Sequence, residues 1–184
     1  MKKFVSIALA LVLCFAMTAF AAPSITANNV TVTVDESIVA IAAAAENTVA
    51  AAAANDLVAA LSTEGGDVAA ALQLDTTEVA QLEGIVGPNA VVNDIAPLAM
   101  DVKAAVETPV SMTFDTVYPA GQKVAILLTI VNPDGTLSTI ILEGVGNGQG
   151  VDFTIPADAM ASILAAGGQC VVTTMTAAPA APAA

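Results

Sequence analysis

The sequence predicts an α+β protein, in which an alanine-rich helical N-terminal region precedes a small antiparallel β sandwich or open barrel with one connecting helix. Three observations carry that expectation. Alanine, the residue with the best intrinsic helix propensity, dominates residues 37–87. From Asn89 onward the texture changes to short runs rich in β-branched residues, which suit a pleated, half-buried surface. Between those runs stand Pro- and Gly-bearing turn sequences, the punctuation of an antiparallel β region.

Taken in order, residues 1–21 have the layout of a secretory signal: Lys2 and Lys3, the apolar "FVSIALALVLCFAM", and the small residues of "AFA" before Ala22. The apolar run is shorter than the about 20 residues a spanning helix needs. Leu13 stands where a lipobox before Cys14 needs a small residue, so cleavage after Ala21 is expected. Residues 22–36 form a strand segment, because Val30, Val32 and Val34 alternate with Thr31 and Thr33. Residues 37–87 are expected to be helical, with Asp35 and Glu36 suited to a helix N-terminus. "STEGGD" at 62–67 interrupts that tract. "DTTEVAQLEGIVG" then opens a fresh helix, with Asp75 or Thr76 as its cap and Gly87-Pro88 as its stop.

Within the tract, "IAAAAENTVAAAAANDLVAAL" (Ile41 to Leu61) is not a membrane span. Glu46 and Asp56 would each cost about 2.5–3.5 kcal/mol in a bilayer, and alanine returns little apolar area. At about 100° per residue from Ile38, its Val, Ile and Leu positions scatter around the helix axis. A shallow docking, or one through close alanine contacts, is therefore expected.

Residues 88–176 form the β-rich domain. "YPAGQ" at 118–122 and "NPDG" at 132–135 are turns, since proline presets φ and glycine accepts positive φ. "GVGNGQG" at 144–150 is expected to be a flexible hairpin loop. One helix interrupts the strands, with Pro156 at its first turn, Met160, Ile163 and Leu164 on one face, and Gly167 as its stop. Residues 177–184, "AAPAAPAA", are a disordered Ala/Pro tail without a sorting motif or a hydrophobic stretch.

Charge and residue types exclude whole classes of chemistry. The formal net charge is −13, and once the first 21 residues are set aside only Lys103 and Lys123 face 17 acids. Such a surface repels nucleic acid and anionic lipid heads, which need clustered Lys or Arg. The chain has no histidine, so Ser-His-Asp, Cys-His and His-based zinc chemistry are excluded. Lys103 and Lys123 are read as solvated rather than as half of a serine-lysine dyad. Cys170 is the only cysteine beyond the signal, so no internal disulfide forms; its apolar neighbours favour burial, with a reactive or intermolecular thiol as the alternative. Phe114 and Phe153 are expected in the core. Tyr118, before Pro119 on the first hairpin expected of the β region, is weighed as an exposed contact point. The glycines of "GVGNGQG" match neither a dinucleotide nor a Walker pattern. Asp134, Asp152 and Asp158 offer hard oxygen ligands for calcium, though in no EF-hand spacing.

The signal "MKKFVSIALALVLCFAMTAFA" is similar to those of Clostridia-like Gram-positive bacteria, and "PVSMTFDTVYPAGQKVAILLTIVNPDGTLSTIILEGVGNGQGVDFTI" resembles the small Ig-like β modules of their secreted and surface proteins. That resemblance implies a non-catalytic extracellular module and brings no site residues with it. The expected function is a secreted structural or protein-binding module, not an enzyme, with another extracellular or cell-wall protein as partner. No cofactor, catalytic residue or metal ligand is assigned. A carboxylate-dependent extracellular hydrolase and a calcium-responsive secreted protein are the alternatives.

Overall fold

The valine–threonine alternation near residue 30 does form a strand, and it belongs to a large sheet. In chain order the elements are β1 (Ser24–Ile25), β2 (Thr31–Thr33), β3 (Val39–Ala43), α1 (Val49–Thr63), α2 (Val68–Leu72), α3 (Thr76–Val86), β4 (Ala90–Val102), β5 (Thr108–Thr113), β6 (Lys123–Val131), β7 (Leu137–Gly146), β8 (Val151–Ile155), α4 (Ala157–Ala165) and β9 (Gln169–Ala177). The computed structural model describes residues 24–25, 30–63 and 67–178. The signal segment, residues 64–66 of "STEGGD" and the Ala/Pro tail beyond residue 178 lie outside the described residues.

Hydrogen bonding joins the strands in the order β1-β4-β9-β6-β7-β8-β5-β2, with β3 also on β4, beside β1. Every pair is antiparallel except β1 with β4. β2 and β3 hold opposite ends of the sheet, one on β5 and one on β4, yet only residues 34–38 separate them. A connection that short, at no more than about 3.3–3.6 Å per residue, brings the two edges together. The sheet is therefore a nearly closed barrel.

Two apolar cores use the two faces of this sheet. Inside the barrel, Leu98, Met112, Ile126, Leu128, Phe153 and Val172 meet Met160 and Ile163 of α4. Outside, α1, α2 and α3 lie over the central strands, where Leu57, Leu61 and Leu82 meet Ile95, Leu127 and Met175. β6 is consequently buried on both faces along its length, exposed only at Lys123. Such a strand reads as a continuous hydrophobic run, as "KVAILLTIV" does.

β4 serves both cores and carries a bulge. Its register on β9 passes from Val92–Met175 to Asp94–Thr174, leaving Asn93 as the extra residue. Val92 and Ile95 accordingly join the outer core, while Ala96, Leu98 and Met100 face the barrel interior. Pro97 stands in this central strand with its nitrogen on the β3 side. Ala44 N–H donates to the Pro97 carbonyl at 2.9 Å just past the end of β3, so the missing proline donor falls at the end of that pairing rather than within it.

Four expectations are corrected. Val39–Ala43 is a strand, not the start of a helix: Val39 and Ile41 pack into the barrel core, and pairing to β4 overrides alanine's propensity. With those residues removed from the helix, α1 does have a buried stripe, Ala50, Ala54, Leu57 and Leu61. Leu164 of α4 is 52% exposed, and Ala159, Met160 and Ile163 form the buried face instead. "YPAGQ" makes its turn, with Gln122 N–H on the Pro119 carbonyl at 3.0 Å, but it does not join neighbours, because β7 and β8 lie between β5 and β6. The "NPDG" turn joins β6 to β7 and α3 starts at an Asp75 capping box, both in line with their sequences.

Candidate functional site

The bulge at Asn93 places Asp94 inside the barrel, where it is fully buried. Its carboxylate is met by hydroxyls rather than by a cation. Thr116 donates to Oδ1 at 3.0 Å, and Tyr118 donates to Oδ2. Thr174 Oγ1 stands 2.6 Å from the Tyr118 hydroxyl and accepts from the Asp94 backbone N–H at 3.0 Å. Beside them, Thr176 donates to Asn93 Oδ1 at 2.9 Å. Burial pushes the Tyr118 phenol well above its usual range, and the Asp94 carboxylate adds to that rise.

Tyr118 is therefore no contact point; it is 1% exposed, with Phe114 edge-on at 6.1 Å. It pins the β5–β6 connection across one end of the barrel to β4 and β9. The neighbouring β7–β8 turn packs on the same connection. A side chain at Gly146 would collide with the Pro119 carbonyl, and one at Gly150 with the Met112 carbonyl. The amides of that turn are spent internally, Gly148 N–H on the Tyr118 carbonyl and Gly150 N–H on Asn147 Oδ1. They do not cradle an anion.

The other residues singled out by sequence are dispersed. Asp134 closes the β6–β7 turn by accepting from the Thr136 hydroxyl at 2.6 Å and from its N–H at 3.0 Å, bonds that hold its carboxyl below the usual range. Asp152 on β8 accepts from Asn147 at 2.7 Å, and Asp158 accepts from Ala159 N–H in the first turn of α4. Among the described residues no three acidic, His or Cys side chains gather as a metal site. Lys123 pairs with Glu143 at 2.8 Å, and Lys103 donates to the Glu36 carbonyl at 2.6 Å. Cys170 is fully buried, and burial pushes its thiol up to about 12. Phe114 and Phe153 lie in the core. No helix among the described residues is long and apolar enough to cross a membrane.

The accessible feature is the seam of the barrel. β3 pairs β4 and no other strand among the described residues. Lys103 N–H donates to the Ile38 carbonyl and Ala44 N–H to the Pro97 carbonyl, so even-numbered residues of this segment turn their backbone groups toward β4. In an antiparallel ladder the alternate residues then point theirs the other way. Ile41 and Ala43 thus turn N–H and C=O groups toward the seam between the two ends of the sheet, where no ladder partner is found among the described residues. Sequence reasoning placed a helix here and missed both this edge and Asp94. A signal for Asp94 was present: the adjacent polar pair Asn93-Asp94 breaks the apolar run "AVVNDIAPLAM".

No protein family, curated protein or solved structure matches the chain.

Proposed function

We propose that the chain is a secreted, non-enzymatic module that binds another extracellular or cell-wall protein by accepting a strand on the β3 edge. The open edge at Ile41 and Ala43 carries this reading. Its likeness in residues 109–155 to Ig-like modules of secreted Gram-positive proteins and its signal-like first 21 residues support it. The groups with the strongest chemistry, Asp94, Tyr118 and Cys170, are buried, which favours a scaffold over a catalyst.

The test uses Ala43→Pro, since the Ala43 N–H faces away from β4 and its loss spares the ladder. Wild type is expected to retain a partner from culture medium or wall extract, and Ala43→Pro to lose it with an unchanged circular dichroism spectrum. Equal retention by both, or turnover of glycosides or peptides at acidic pH, overturns the proposal. Fractionation should find the protein in medium or wall with Ala22 at its N-terminus.

A further inference from the structure

We infer that the strand accepted by β3 is basic, an extended peptide with lysine or arginine at alternate positions. This rests on the β3 edge being the docking site and goes further by assigning the partner's chemistry. Beside the edge, on the outer face of β3 and β4, lies a hollow of about 430 Å³ lined by Ala40, Ala42, Ala99, Asp101, Gly167 and Gln169, among others. Its register is known. Ala40 stands opposite Asp101 and Ala42 opposite Ala99, with Gln169 beyond Ala99 on β9.

Small residues make up the β3 column here, so a side chain from an added strand passes over it unobstructed. An added strand would lie two strand spacings, about 10 Å, from β4. Only long side chains bridge such a gap, and what awaits them is acceptors. Asp101 is an exposed carboxylate on β4 within that span. Asp35 and Glu36, in the turn that leads into β3, are exposed as well. Lys103 is the cation of this corner, and its ammonium is held on the Glu36 carbonyl at 2.6 Å. The chain as a whole carries a formal net charge of −13, which attracts a basic strand and opposes a second copy of itself. Lysine and arginine alone combine the length with donors only.

Three dye-labelled peptides of alternating sequence test this by fluorescence anisotropy: valine with lysine, valine with threonine, and valine with glutamate. The lysine peptide is expected to bind, the threonine peptide about tenfold more weakly, and the glutamate peptide not at all. Asp101→Asn should weaken the lysine peptide about tenfold and leave the threonine peptide unchanged. Ala43→Pro should abolish binding of both. Equal binding of the lysine and threonine peptides, both lost in Ala43→Pro, overturns the basic partner and leaves the edge site standing. Lysine-peptide binding that survives Ala43→Pro is diffuse attraction to an acidic protein and overturns both. Failure of every peptide, with a partner still retained through the β3 edge, overturns the basic strand alone.

Discussion

Asp94 and Tyr118 bind each other in a place where neither can be replaced cheaply. Tyr118→Phe keeps the ring against Phe114 but leaves the Asp94 carboxylate and Thr174 hydroxyl short of a buried partner. Such a loss costs about 1–3 kcal/mol, and urea unfolding should show a midpoint shift of that size with an unchanged slope. Alkali should attack the same residue. An unfolded chain releases the Cys170 proton near 9.0 and the Tyr118 proton near 10.0, whereas the folded chain holds both to higher pH. The folded state then binds more protons than the unfolded one, so stability is complete below pH 9 and falls as pH rises beyond it. Unfolding free energies measured from pH 8 to pH 12 should decline from about pH 9 onward. In Tyr118→Phe the decline should be shallower above pH 10. A flat profile would contradict the burial of both groups.

α1 shows how an element of small residues is specified by where it begins. Ala50 and Ala54 are fully enclosed, so the helix backbone approaches the sheet closely at those turns. Ala54→Leu forces extra volume into that contact and should cost about 1–3 kcal/mol. Ala52→Leu, on the exposed side of the same helix, should change stability by less than about 0.5 kcal/mol. Thermal unfolding of the two variants separates the faces. The stripe is hidden in the sequence because Ala50 and Ala54 look the same as the alanines on the exposed face, and only Leu57 and Leu61 mark it. Where local chemistry decides the outcome, the sequence was legible: the Asp75 cap, the "NPDG" hairpin and the alternation of β2 all formed as read. Where long-range pairing decides it, the sequence was mute. Nothing local in "IVAIAA" announces that β4 will pair with it, and nothing in "YPAGQ" says that two strands will intervene between its ends. The β3 edge, on which the proposed binding depends, exists only through that pairing.

At the scale of the whole molecule, protection is graded around the barrel. β6 is buried on both faces and paired on both sides, whereas β2 and β3 are short and, among the described residues, paired on one side. Local opening free energies follow burial and pairing. Hydrogen exchange followed by mass spectrometry should find β6 and β9 slowest and residues 31–43 fastest. Slow exchange at Ile41 and Ala43 in the isolated protein would mean the edge is already covered, and the strand-binding proposal would fail with it.

The bulge at Asn93 also bears on how this chain tolerates a change of length. Elsewhere along β4, losing one residue would invert one flank of the strand, turning interior residues such as Leu98 or Met100 outward. At Asn93 the count already contains a spare. Without it, Val92 would remain opposite Met175 and Asp94 opposite Thr174, each on its present side. Excision of Asn93 should therefore give a protein that unfolds cooperatively in urea, weakened by the loss of the Thr176 hydroxyl's acceptor. Excision of Ala99 should give one that does not. The strand has a single expendable position, and it adjoins the carboxylate that the barrel encloses most completely.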